Sequence, residues 1–178
     1  MSTELGQLVA KRYTAKLPDD KLKERICNFL KEQAMCTLAT SLGDTPRATL
    51  LEYFSEGTTL YINGDPGTKI RNIQANERVC ITVYNMVHPD WLSDDWKSIK
   101  AARITGEATV LEPDDPESIR ARKEVIRWQL FAKALGLDEN EPPKGSRVIK
   151  VEAREIDYYE FALMLEGYAP QQVWQAST

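Results

Sequence analysis

At 178 residues, 42% apolar and 28% charged, the chain has the balance of one globular domain (residues 1–178) that can bury a core without staples. Its net charge of -4 gives no basic face for nucleic acid, and no apolar run approaches the roughly 20 residues of a membrane span. Three cysteines (Cys27, Cys36, Cys80) without C-x-x-C spacing, and a single histidine, His88, form neither a disulfide framework nor a metal-ligand set. Core thiols in a reducing cytoplasm are therefore expected, with no bound metal. The polar N-terminus lacks the apolar stretch of a signal peptide.

In chain order, Leu5, Leu8 and Val9 predict a short helix within residues 2–13. Pro18-Asp19-Asp20 starts a second helix, and Leu22, Ile26, Phe29 and Leu30 carry it to about Lys31. This N-terminal helical segment, about residues 1–33, is expected to plug a barrel end or cover a sheet. Cys36, Leu38 and Thr40 then alternate as a strand, Gly43-Asp44 turns, and Arg47 to Phe54 returns. Glu56-Gly57 leads into a strand over Thr59–Asn63, a short helix covers Thr68–Ala75, and Arg78–Asn85 is a strand with Val79, Ile81 and Val83 on one face. A loop from Met86 to Lys97 holds Pro89, Trp91 and Trp96. Ala101–Leu111 is a strand in which Gly106 marks a bulge or a close backbone approach.

Asp115 caps and Pro116 opens a helix that Gly136 closes. Ile119, Ile126, Leu130 and Ala134 form its expected apolar stripe, with Arg120, Lys123 and Arg127 more exposed. A last strand runs from about Arg147 to Tyr159, and an aromatic-rich tail, about 162–178, has no assigned structure. About six strands with hairpin-short links predict a mostly antiparallel barrel with peripheral helices, an α+β fold, rather than a doubly wound sheet.

The chemistry gathers between Arg47 and Asn76. Arg47 offers a planar fork of donors, Lys69 a point charge and Thr68 a hydroxyl, with the last two at a helix N-terminus. Such a set suits a phosphate. Spacing alone equally allows Lys69 and Arg71 to be solvated helix residues and Arg47 to begin an ordinary strand. His88 is the one histidine available for Ser-His-Asp or Cys-His catalysis, and no G-x-S-x-G motif accompanies it. Chemistry is therefore expected from a cofactor, and no catalytic residue is assigned.

Three blocks carry a resemblance to the pyridoxamine 5′-phosphate oxidase-like, FMN-binding split-barrel superfamily. Arg47-Ala48-Thr49-Leu50-Leu51 resembles the R-x-V-L-L strand that meets the FMN phosphate and ring. Leu60-Tyr61-Ile62-Asn63 resembles F-Y-T-N, which lies along the flavin. Gly67-Thr68-Lys69 with Asn72, Ile73 and Asn76 resembles the S-R-K…I…N phosphate block. Ile104-Thr105-Gly106-Glu107-Ala108 is similar to a later V-x-G-x-A strand. The resemblance implies a six-stranded antiparallel split β-barrel that binds FMN through Arg47, Ala48, Thr49, Leu50, Tyr61, Ile62, Asn63, Thr68 and Lys69. It also implies a homodimer with the cofactor at the interface, Lys100 and Trp96 lying near the second-chain contacts, and Tyr168 and Trp174 of the tail covering the partner's flavin.

Departures from the pattern bear on activity. Glu52 stands where the oxidase proper has a lysine for its phosphorylated substrate, and Thr68 replaces an arginine of the phosphate block. The Gly64–Gly67 turn has one extra residue, and the oxidase's C-terminal arginine motif is missing from G-Y-A-P-Q-Q-V-W-Q-A-S-T. The expectation is a flavin-dependent oxidoreductase with a small-molecule substrate other than pyridoxamine phosphate. The alternatives are a dimer that stores, carries or senses flavin, deazaflavin or haem (haem through His88), and a structural dimer with an empty site.

Overall fold

The computed structural model describes residues 4–85, 91–138 and 145–177; His88 and Pro89 lie outside them. Helix α1 (Glu4–Val9) buries no residue, whereas α2 (Asp19–Glu32) buries Leu22, Ile26, Phe29 and Leu30, as its period predicts. Asp19 and Asp20 in its first turn and Lys31 in its last suit the helix dipole.

Among the described residues, eight antiparallel strands curl into a half-barrel: β1 (Met35–Leu42), β2 (Thr45–Glu52), β3 (Phe54–Glu56), β4 (Thr59–Gly64), β5 (Arg78–Tyr84), β6 (Lys100–Leu111), β7 (Arg147–Glu160) and β8 (Gln171–Gln175). The order is β2-β1-β5-β6-β7-β4-β3, and β8 pairs with the second half of β7, beyond the end of β4. Two strands more than the sequence predicts arise from tertiary contacts. The Arg47–Phe54 strand divides at Tyr53, whose N–H makes the last bond to the β1 side (Ala34 carbonyl, 2.9 Å) and whose hydroxyl donates to the Leu30 carbonyl at 2.7 Å, after which Phe54 turns to pair with β4. The tail supplies β8.

Gly106 behaves as expected. The β6–β7 register slips between Thr105↔Glu155 and Gly106↔Ala153, leaving Arg154 as the extra residue. The two backbones approach so closely there that a Cβ at Gly106 would meet Ala153 Cα at 3.2 Å. Inside the half-barrel, Leu38, Leu60, Ile62, Ile81, Ile104 and Ile149 are fully buried with α2's apolar face. Each contributes about 1.5–3 kcal/mol by leaving water.

The helix over 115–136 is not continuous. It consists of α4 (Pro116–Arg120), one wide π turn (Ala121–Ile126), a left-handed Arg127 (φ 55°) and α5 (Trp128–Leu135), closed by Gly136 (φ 68°). The i→i+5 turn shifts the buried face off a 3.6-residue period. Ser118, Ala121, Arg122, Ile126, Trp128 and Ala132 are buried, while Ile119 and Leu130 of the expected stripe are more than half exposed and Ala134 is also exposed.

Part of the tail, to which the sequence assigned no structure, forms β8. Tyr168 and Trp174 pack against this chain's own core, with Lys23 Nζ 5.8 Å from the Trp174 ring. Trp174 lies on β8, paired with Ile156 of β7, and Tyr168 precedes that strand, its N–H donating to the Leu163 carbonyl at 3.0 Å. Among the described residues the three cysteines are free thiols, and no helix is long and apolar enough to cross a membrane.

Candidate cofactor site at the β2–α3 corner

Pairing of β1 with β2 sets which side chains share a face. Arg47 lies opposite Thr40, Thr49 opposite Leu38 and Leu51 opposite Cys36, so these point to the inner side of the sheet. Ala48, Leu50 and Glu52 take the outer side; all three are exposed, Leu50 to 72%. Helix α3 (Thr68–Ala75) is fastened beside Arg47. Its Asn72 donates to Thr40 Oγ1 at 3.0 Å and Asn76 to Ser41 Oγ at 3.0 Å. Gly64 lets the helix start close to the sheet, since a Cβ there would already be 3.1 Å from Ile70 and 3.2 Å from Ile149.

The corner is rich in donors. The first bond of α3 runs from Arg71 N–H to the Gly67 carbonyl at 3.3 Å, so the N–H groups of Thr68, Lys69 and Ile70 have no acceptor within the helix. Lys69 Nζ folds back to the Asp65 carbonyl at 3.1 Å, and Arg71 donates to Thr68 Oγ1 at 3.3 Å. The Arg47 side chain is exposed and has no hydrogen bond or ion pair among the described residues. The Thr49 hydroxyl is buried and unpartnered. A free guanidinium on β2 and, at the start of α3, an ammonium and N–H groups without helical acceptors are the donors a phosphate group demands.

The other residues singled out by sequence lie elsewhere. Tyr61 and Ile62 are buried, and their side chains enter the two hydrophobic clusters. The Tyr61 hydroxyl donates to Glu117 Oε1 at 3.1 Å and accepts from Arg120 at 2.9 Å, which pins α4 to β4. Burial, then the Glu117 carboxylate, pushes that phenol above its ordinary pKa. Lys100 sits at the opposite end of the strands from Arg47, 3.9 Å from the buried Glu160 carboxylate, which also accepts from Arg25 and Tyr158. Trp96 is buried against Phe161, and Trp91 is half-exposed.

Asn63 is half-buried and leads to a feature that sequence reading missed. A cleft of about 680 Å³ opens between the end of α2, β3 and the π turn, with Asn63 and Glu52 on its lining. Tyr53, Phe54, Trp128 and Phe131 supply its aromatic walls. Four aromatics distributed over 80 residues carry no local signal, and the kink that brings Trp128 into place is invisible to periodicity.

Solved structures share the fold. The fold matches general stress protein 26 of Bacillus anthracis str. Sterne (24% identity, 77% of this chain and 92% of that one, TM-score 0.56). It also matches a FAD-binding protein of Mesorhizobium loti (21%, 75% and 88%, TM-score 0.57) and a heme binding protein of Mycobacterium smegmatis (17%, 90% and 60%, TM-score 0.60). At these identities the likeness carries the fold alone. No curated protein matches the chain significantly. The sequence family described as pyridoxamine 5′-phosphate oxidase, however, matches residues 22–160, a span that holds the half-barrel from β1 to β7 and the whole β2–α3 corner, and the chain belongs to that family.

Proposed function

We propose that this protein binds FMN at the β2–α3 corner and acts as a flavin-dependent oxidoreductase, working as a cytoplasmic homodimer. The observation that carries the reading is the unpaired Arg47 side chain, opposite the Thr40 to which α3 is fastened, together with the unbonded first N–H groups of that helix. Arg47 and Lys69 would hold the phosphate, with the Thr68 and Thr49 hydroxyls and the first N–H groups of α3 completing its donors. FMN, when bound, supplies hydride or electron transfer. The chain's part is to anchor, orient and shield it.

A second copy is supported by the state of β2. It ends the sheet path and is exposed along its outer face, with Leu50 and its outer-face neighbour Met35 at 72% and 56%. An apolar edge of this kind calls for cover. Lys100, remote from Arg47 within one chain, is free to belong to the second site of such a dimer. Glu52, exposed at the end of β2, opposes a substrate phosphate by like charge.

The visible spectrum of the purified protein, with mass spectrometry of what denaturation releases, tests the cofactor. Calorimetric titration of FMN tests the residues. Arg47→Ala and Lys69→Ala are each expected to weaken binding by at least about 1 kcal/mol. Wild-type affinity in both variants would defeat the assignment. A second reading, a non-catalytic dimer that holds haem or deazaflavin, draws on the heme binding protein among the structural neighbours. A red protein, or a deazaflavin among the released species, would favour it.

A further inference from the structure

We propose that α5 docks on a second copy of this chain, against the outer face of β1 and β2, so that two copies related by a two-fold axis cover each other's exposed apolar helix. The inference rests on the homodimer reading above and names the surfaces that form the contact.

Helix α5, W-Q-L-F-A-K-A-L, is mostly apolar, yet it buries only Trp128 and Ala132. Leu130, Phe131 and Leu135 are 60%, 55% and 57% exposed. A helix of two turns takes its stability from packing, and the larger apolar side chains here pack on little of their own chain. The cause lies just before the helix, where the π turn and the left-handed Arg127 (φ 55°) redirect the backbone. Among the described residues Arg127 is the one non-glycine with positive φ, a conformation that glycine adopts without steric cost. Strain of this kind persists where a side chain is needed. What arginine adds over glycine at this point is a positive charge at the root of α5.

The complement lies on the same chain. The outer face of β2 presents Ala48, Leu50 and Glu52, all exposed, beside Met35 of β1. Thr37 and Ala39 of β1, opposite Leu50 and Ala48, continue this face with small side chains over which a helix can lie. The Glu52 carboxylate makes no hydrogen bond or ion pair among the described residues, and neither do the side chains of Arg127 and Lys133. Glu124, the acid nearest to Arg127 in sequence, is 3.8 Å from Arg120. One surface is thus an apolar helix with unpaired cations, and the other an apolar strand face with an unpaired carboxylate.

Within one chain the two are held apart, because Arg127 and Glu52 both line the cleft of about 680 Å³. A second copy brings both complements at once. In a two-fold dimer the helix of each copy reaches the strand face of the other, so the contact forms twice. Leu130, Phe131 and Leu135 then leave water together with Leu50 and Met35, and Arg127 meets Glu52 across the interface.

Arg127→Glu and Glu52→Arg isolate this contact. Both side chains are exposed, and glutamate at φ 55° carries the same Cβ as arginine, so each variant keeps the fold, as circular dichroism checks. Dimer dissociation is measured by sedimentation over a dilution series, with a fluorescent label on the N-terminal amine. Each variant places like charges together in both contacts of its homodimer, and is expected to dissociate at concentrations at least about ten-fold above wild type. An equimolar mixture of the two is expected to return to within about three-fold of wild type. In the mixed dimer one contact joins the two introduced charges and the other joins the two original ones, whereas an ion pair inside a single chain gives no rescue by mixing. Leu130→Glu should weaken the dimer at least about ten-fold through the apolar part of the contact. Wild-type dimerisation in Arg127→Glu or in Leu130→Glu, or a mixture no tighter than its components, would overturn this inference and leave the homodimer reading standing. A wild-type chain that stays monomeric throughout the series would overturn both.

Discussion

Replacing Gly106 with alanine tests whether the close approach of β6 and β7 is built into the fold. The added methyl would overlap the Glu152 carbonyl oxygen and stand 3.0 Å from the carbonyl carbon and 3.2 Å from Ala153 Cα. All three atoms are backbone, so no rotamer change relieves the overlap. Ordinary carbon contacts lie at about 3.5–4.0 Å, so β7 must draw back by roughly half an ångström or more. It must do so where the register slips around Arg154, loosening ladder bonds on both sides. Each such bond is worth about 1 kcal/mol net, and overpacking adds about 1–3 kcal/mol. Alanine's smaller unfolded-state entropy offsets about 0.5–1 kcal/mol. The net loss is about 2–4 kcal/mol, which lowers Tm by roughly 5–15 °C in a chain of this size. Thermal melts followed by circular dichroism, with urea titration to check an unchanged slope, measure it. A variant melting within about 2 °C of wild type would refute the reasoning, because the two backbones would then be free to part.

Other consequences follow from single contacts. Asn72→Ala removes the bond to Thr40, leaves a buried hydroxyl unanswered, and is expected to cost about 1–3 kcal/mol with faster hydrogen exchange in α3; exchange confined to wild-type rates would refute it. Tyr61→Phe removes the hydroxyl between Glu117 and Arg120 and should cost about 1–2 kcal/mol in urea unfolding. Hydrogen bonding from Arg120 holds the Glu56 carboxyl below its ordinary 4.5. A depressed folded pKa gives stability that is present above that ordinary value and lost as pH falls through the folded one. Glu56→Gln should therefore flatten the fall in Tm below about pH 4.5, and an identical acid limb would count against the pair. Burial pushes the Cys36 thiol up to about 12, and less burial raises Cys27 and Cys80. A disulfide reagent at pH 8 should modify those two before Cys36, as peptide mass mapping would show.

Much of this fold is written locally. The α2 face of Leu22, Ile26, Phe29 and Leu30 is a plain 3.6-residue stripe, and the inward Val79, Ile81 and Val83 of β5 a plain alternation. Gly106 was legible because a missing side chain inside a strand has few other uses. The segment from Pro116 to Leu135 was not, since a π turn has the wrong period and an arginine gives no notice of a left-handed backbone. Nor was the break at Tyr53, a good strand residue turned aside by α2. Strand β8, Q-Q-V-W-Q, is too short and polar to declare itself without β7 beside it. In the candidate site, Arg47, Thr68 and Lys69 were readable as donors, and Asn72 as part of the same block. What sequence could not give was facing: Tyr61 and Ile62 match the pattern but turn inward, because β4 is covered on both sides.

One strand links the proposals for cofactor and partner. Arg47 and Glu52 are five residues apart on β2, roughly 17 Å at the rise of an extended strand. Arg47 is on the inner face beside α3, and Glu52 is on the outer face at the mouth of the cleft. A ligand anchored at the first and reaching the second must cross the strand. Only an edge strand permits that, and β2 is one, because β1 occupies a single side of it. Its free edge presents N–H and C=O groups that need partners, and Pro46 removes one donor. A flavin ring lying over that edge would bond to the remaining groups, and a second chain would cover Leu50 and Met35 outside it. Cofactor and partner would thus answer one physical need, the unfinished edge of a half-barrel. Leu50→Glu should therefore weaken dimer and flavin binding together, whereas Arg47→Ala should weaken flavin binding and leave the dimer intact. Sedimentation and flavin titration on both variants would separate the two effects, and a Leu50→Glu protein that stays dimeric with full affinity would break the link.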